Sequence, residues 1–378
     1  MNTSNLRLFK QAAEQLLEEN ILPYWLALRD DLHGGFYGRV TGREQLIKNA
    51  PRGAILYARI LWSFSAAYRV LPNPKYLSAA RHAKQYIEAY LLDRDYGGSF
   101  WSVTANGEPL DTRKQIYAQA FMLYAFSEYY RSTMDAGALH AAVSLFHVIE
   151  QHGRDRVYGG YTEAAARNWQ PIEDMRLSDK DENTAKSQNT NLHVLEAYTH
   201  LYRIWQTPEL HEALTALVDT FHTHIIQPSG HLGLFFNEQW HPTNHHFSAG
   251  HDIECSWLLD EAAGVLGMNC DEDVRRLAKA ASDDLHHDGS IGEKVWWEQA
   301  EAVVGYTNMY LRFGDPADMD KALAVWRFIN TCLIDTENGE WYWSVLPDGT
   351  PDRTNDKAGF WKCPYHNSRM CLEILQRI

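Results

Sequence analysis

Apolar residues return at intervals of three and four along most of this chain, as in Ala54-Tyr57-Ala58-Leu61-Trp62-Phe64-Ala67 and Phe121-Tyr124-Ala125-Tyr129. That spacing predicts α-helices with an apolar stripe. Between the helical runs a turn of glycine followed by aromatics recurs: Gly34-Gly35-Phe36-Tyr37, Gly97-Gly98-Ser99-Phe100-Trp101, Gly159-Gly160-Tyr161, Gly233-Leu234-Phe235-Phe236 and Gly339-Glu340-Trp341-Tyr342-Trp343. A degenerate copy, Gly289-Ser290-Ile291-Gly292, fills the one wide gap. With starts at residues 34, 97, 159, 233, 289 and 339, six units account for the chain. Each holds two helical runs separated by a proline or aspartate break, such as Leu71-Pro72-Asn73-Pro74, Thr133-Met134-Asp135, Gln206-Thr207-Pro208 or Gly314-Asp315-Pro316. Such breaks stop one helix and cap the next, so about twelve helices are expected. The aromatic runs after the glycines alternate like short strands, which predicts small hairpins in the loops.

Six helix pairs can stack as an open solenoid or close into a ring of six inner helices within six outer ones. Polarity on one helix of each pair favours closure. Arg59 sits among Ala58, Ile60, Leu61 and Trp62, and Tyr117 with Gln119 opens another run. Asn189 and His193 lie four apart, and His251 and Glu254 three apart, so each pair shares a helix face. Trp297 and Glu301 follow, and Pro364-Tyr365-His366 places an imidazole in an opening helical turn, with Trp361 in the loop before it. Any one of these is ordinarily a satisfied core residue. Recurring at matching positions, they converge at one mouth of a closed ring.

Subtracting 49 acidic from 35 basic residues leaves −14 with no basic run, which excludes nucleic acid as an expected partner. The N-terminal segment is too polar for a signal peptide, and no stretch has the length of a membrane span, so the chain reads as cytoplasmic. Five cysteines without CxxC spacing indicate neither disulfides nor a zinc knot; they are expected to be reduced and buried. Aromatics make up 12%, a richness that suits a groove stacking on sugars. His193, His251 and His366 with Glu254 raise the question of zinc, but they come from separate units without a local ligand pair. Histidine is also the side chain best matched to proton transfer near neutral pH. His241, His245 and His246 read as a surface loop. Nucleotide-binding glycine loops and a nucleophile elbow are absent.

The strings Ala58-Arg59-Ile60-Leu61-Trp62, Tyr117-Ala118-Gln119, Asn189 through Tyr198, Gly250-His251-Asp252-Ile253-Glu254, Trp296 through Glu301 and Trp361 through Asn367 together resemble those of cellobiose 2-epimerases, in the N-acylglucosamine 2-epimerase superfamily. The resemblance runs from about Gly34 to Cys371 and implies an all-α fold, an (α/α)6 barrel of six helix pairs in one catalytic domain over residues 1–378. It implies His251 and His366 as the acid/base pair, with His193 and Arg59 near the reacting oxygens. Tyr117, Asn189, Glu254, Trp296, Trp297, Glu301, Trp361 and Asp181 would contact the sugar. The implied reaction is inversion of carbon 2 in the reducing-end glucose of a β-1,4 disaccharide, through an enediolate, by a monomer needing no metal or cofactor. At Asn191, where many relatives have a second histidine, the side chain points away from the 189/193 face; a shortened loop before Trp296 bears on the second sugar. Rival expectations are a mannose or glucose 2-epimerase, an aldose-ketose isomerase, and a glycoside hydrolase using Glu254 and Glu301.

Overall fold

The computed structural model describes residues 3–378. Outer helices α1 (residues 3–27), α3 (74–91), α5 (Ala136–His152), α7 (208–225), α9 (Asp271–Ser282) and α11 (316–333) alternate with inner helices α2 (Ala54–Val70), α4 (Ile116–Thr133), α6 (Gln188–Tyr202), α8 (Ala249–Leu266), α10 (Trp296–Phe313) and α12 (Tyr365–Arg377). Each inner helix packs on the next and α12 packs on α2, so the ring closes and the open solenoid is excluded. The predicted breaks are the helix caps. Asn73, Asp135, Thr207 and Asp315 accept hydrogen bonds from the first-turn amides of α3, α5, α7 and α11, three of which begin with proline. Outer helices α3, α7 and α11 each end in one π-helical turn, and α1 carries one within it, at Leu17–Ile21.

The glycine-aromatic turns join each outer helix to the next inner one. Every turn is closed by a single β-bridge: Arg29 to Phe36, Leu92 to Ser99, Arg154 to Tyr161, Ile226 to Leu232, Leu285 to Ile291 and Ile334 to Trp341. This register corrects the fourth start. Gly230 has the positive φ (+96°) the turn requires, whereas Gly233 lies beyond the bridge and against Phe236.

One residue of each inner helix clamps its turn. Tyr57 Oη, Gln119, Asn191 and Gln299 bond both the N–H and the carbonyl of Phe36, Ser99, Tyr161 and Ile291. Asp252 accepts from the Leu232 amide, and Asn367 donates to Glu340, whose carboxylate also holds the Trp341 amide. Gln119 and Asn191 are therefore scaffold. Beside the turns lie buried ion pairs that the sequence did not advertise: Arg52 with Asp30, Lys114 with Asp93, Lys186 with Asp155 and Lys357 with Asp335.

The expected small hairpins are present: β2 (Ser102–Val103) and β3 (Pro109–Asp111) form one, and single bridges from Val40 to Leu46, Phe236 to Pro242 and Val345 to Pro351 close three more. Elsewhere the segment leading into one inner helix pairs with the segment after the next unit's turn: β1 (Arg52–Gly53) with β2, β4 (Lys114–Gln115) with β5 (Ala164–Ala165), and β6 (Lys186–Ser187) with β7 (Phe235–Phe236). Bridges from Val295 to Ser344 and from Val40 to Ala358 continue the pattern around the mouth. Among the described residues, no such seam joins the lead-in of α8 to the degenerate fifth turn.

Candidate active site

All six inner helices begin at the mouth, so their N-terminal dipole ends converge there and favour negative charge. The predicted residues come together in layers. Asn189, His251, Trp297 and Trp361 are partly exposed and form the rim. Below them Arg59, Tyr117, His193 and His366 are buried, and beneath these lie Glu254 and Glu301.

His366 carries its Nδ1 2.7 Å from Glu301 Oε1, and His193 Nδ1 is 2.8 Å from Glu196 Oε2. Each carboxylate fixes the imidazole tautomer with the proton on Nδ1, leaving Nε2 as a base. The Nδ1 of His251 is buried without a partner. Its ring lies 4.7 Å from the indole of Trp297, which in turn lies 5.8 Å from His366, so one indole touches both predicted acid/base groups. Burial depresses the basicity of all three histidines. His251 falls to about 3, and His366 is pushed further down by Arg59 and Arg369, while Glu196 restores part of the loss at His193. They are neutral at physiological pH.

Arg59 donates to the Tyr117 hydroxyl at 2.9 Å and reaches the Trp361 carbonyl and Cys363 Sγ. Its Nε has no partner. The Tyr117 ring edge meets His193 at 5.0 Å, which sets Arg59 and His193 on the same wall. Asp181 accepts from Ser178 and lines, with Asn189, Ser248 and His251, a mouth cavity of about 210 Å³. Trp296 differs from expectation. Its indole is buried against Trp343 and faces the Lys362 ammonium, which puts it behind His366 instead of on the exposed rim.

Sequence reasoning missed the layer below. Arg369, fully buried, donates through Nη2 to Glu254 (2.7 Å) and Glu301 (2.6 Å) and through Nη1 to Glu196 and the Tyr365 hydroxyl. Trp257 donates to the other oxygen of Glu301 at 3.1 Å. The spacing did carry a signal: Arg369 is three residues after His366, and Glu196 three after His193. Glu163 was also missed; it lines the mouth cavity, accepts from Ser187 and Thr190, and is pushed by burial up to about 7. Donor atoms of Glu254, Glu301 and His366 lie within 4.8 Å of one another, as metal ligands would. The Arg369 guanidinium already provides the countercharge at that point, and neither His193 nor His251 belongs to this cluster. The hydrolase pair fares poorly for the same reason, since both carboxylates end on one guanidinium nitrogen. The 241–246 histidines are exposed in a loop as expected. The five cysteines are free; Cys255, Cys363 and Cys371 are buried and the other two partly so.

Residues 35–369 match the family described as N-acylglucosamine 2-epimerase (GlcNAc 2-epimerase). The chain belongs to this family. Among its members, a cellobiose 2-epimerase of Bacteroides fragilis is 46% identical, covering 97% of this chain and 99% of that protein. One from Ruminococcus albus is 38% identical over 96% of this chain and 97% of its own length. The structure of cellobiose 2-epimerase from Bacillus thermoamylovorans B4167 superposes with a TM-score of 0.95 at 40% identity, covering 98% of this chain and 100% of that one. A D-mannose isomerase at 20% identity, TM-score 0.84, shares the fold. The family places this chain among carbohydrate epimerases, which are isomerases.

Proposed function

We propose that the protein is a cellobiose 2-epimerase, converting cellobiose to 4-O-β-D-glucosyl-D-mannose by moving one proton at carbon 2 of the reducing-end sugar. The observation that carries this reading is the pair of neutral imidazoles, His251 from α8 and the buried His366 from α12, against the single indole of Trp297. Hydrogen on carbon 2 of the open-chain aldose is acidic because the adjacent carbonyl can hold the charge as an enediolate. Inversion requires a base on one face and an acid on the other. His366 assists ring opening and removes the proton, becoming an imidazolium. His251, charged with a proton from solvent, delivers that proton from the opposite face. His366 then returns its own proton to solvent, and the roles exchange in reverse.

Arg59 stabilises the developing oxyanion, aided by the converging helix N-termini, and such preorganised donors are worth roughly 3 kcal/mol or more. His193, with its Nε2 unprotonated, accepts from a neighbouring sugar hydroxyl. Tyr117, Asn189, Glu254 and Asp181 hold hydroxyls, and Trp297 and Trp361 stack on sugar faces, with Trp296 bracing His366 from behind. Glu301 orients the His366 imidazole. The protein works without metal or cofactor, because Arg369 supplies the cationic charge among the carboxylates. The protein acts as a monomer. Among the described residues no helix is long and apolar enough to cross a membrane, and with five free cysteines this supports a cytoplasmic enzyme.

Incubation with cellobiose, lactose and mannose in heavy water, followed by NMR, tests the reading. Deuterium at carbon 2 with the mannose-configured disaccharide as product is expected. Ketose as the main product would favour the isomerase, two monosaccharides from cellobiose the hydrolase. Full epimerisation by His251→Asn or His366→Asn would reject the acid/base pair.

A further inference from the structure

Two of the three site histidines lie on helices far apart in sequence, yet their Nδ1 atoms reach the same cation through one carboxylate each. His366 ends on Glu301, His193 on Glu196, and Arg369 donates to both carboxylates, Nη2 to the first and Nη1 to the second. Glu254 and the Tyr365 hydroxyl complete its contacts. Three carboxylates lie here with little solvent, and burial together with their mutual repulsion pushes Glu254 and Glu301 upward. Glu196 is the exception: burial opposes it, but Arg369, His193 and Tyr365 bring it down to about 2.

Resting on the two-histidine reading above, we propose that Arg369 is a positioning residue that couples the tautomers of His366 and His193. One planar guanidinium keeps Glu301 and Glu196 ionised and in place, and each carboxylate keeps the imidazole proton on Nδ1, so both Nε2 atoms stay free for the sugar. Without that cation a buried carboxylate takes a proton from water and becomes a donor toward Nδ1. The imidazole then gives up its Nδ1 proton and carries one on Nε2, and the base is lost. A lysine cannot reproduce the fork, because its ammonium is a point charge on a shorter reach.

The test uses the full chain labelled with ¹⁵N-histidine, the two signals being assigned by their loss in His366→Asn and His193→Asn. Wild type should show the Nδ1-protonated tautomer at both positions. In Arg369→Lys both should shift toward the Nε2-protonated form, with kcat on cellobiose falling roughly 100-fold, the scale of a misplaced catalytic group, and KM changing little. Glu196→Gln should move His193 alone. A cooperatively melting Arg369→Lys that leaves either imidazole in its wild-type form overturns the proposal. So does a wild-type spectrum with the proton on Nε2 at either position, which needs no variant. The tautomers are read without turnover, so a protein that epimerises no sugar would refute the proposed activity while the coupling stood or fell separately.

Discussion

The two ends of the barrel are built from the same side chains and differ in which atoms are left free. At the end opposite the mouth, Arg69, Arg131, Arg203 and Arg377 close the C-termini of α2, α4, α6 and α12, where cations suit the helix dipole, around a cavity of about 260 Å³. Glu128 there accepts from Arg69, Arg131 and His200, and these hold its carboxyl at about 2 against the effect of burial. His200 meets Glu128 through Nε2 at 2.6 Å, whereas His366 and His193 at the mouth meet their carboxylates through Nδ1. Burial lowers the basicity of imidazoles at both ends, His200 to about 4 and His251 to about 3. Composition and pKa alone would therefore not tell the ends apart. Chemistry belongs to the end where Nε2 is bare and the Nδ1 of His251 is buried without a hydrogen-bond partner.

The sharpest way to break this contrast is at its two histidines. His366→Asn should lower epimerisation by roughly 10³-fold, within the range of a lost general base, with little change in melting temperature. His200→Asn should leave kcat per folded molecule intact. If both variants lose activity equally, the distinction between the ends fails. Next in size, Glu128→Gln breaks a buried ion network and should cost about 3–5 kcal/mol of stability by denaturant titration while activity of the folded fraction persists. Asn191→Ala removes the clamp on the Tyr161 turn and leaves its backbone groups unpaired, which should cost about 1–3 kcal/mol and change kcat little.

The smallest effects lie in pH. Unfolded, His251 binds a proton below 6.5; folded, it stays neutral down to about 3, so the unfolded chain holds more protons and stability falls as pH drops through that window. His251→Asn should flatten the acid limb of the melting profile. Glu298 has the opposite sign. Burial raises its carboxyl to about 8, so the folded chain holds the extra proton and stability is lost as pH rises from 4.5 through 8. Glu298→Gln should raise the melting temperature by about 1–2 °C at pH 9 and leave it unchanged at pH 4.

The helix pairs, their caps and the six-fold repeat were legible because each rests on residues close in sequence: Asn73 caps the helix that begins with the next residue. Closure was legible from polarity, since Arg59, His193 and Glu301 have no place facing an apolar core. The local hairpins were legible, but the β seams were not, because their partners come from neighbouring units. The fourth turn was misplaced by three residues because Phe235 and Phe236 imitate the aromatic signature after Gly230. Arg369 escaped notice for a different reason. It pairs with Glu196, Glu254 and Glu301 across three other helices, and such convergence appears only once the ring has closed.

The unpaired stretch before α10 has a consequence for how this scaffold varies. Five seams rivet neighbouring loops together, so lengthening any of them would pull backbone hydrogen bonds out of register. Residues 292–293, between the Leu285–Ile291 bridge and the Val295–Ser344 seam, carry no such rivet and lead to Trp297. Extra chain grafted there would extend one wall over the groove toward longer sugars while leaving the histidines beneath it untouched.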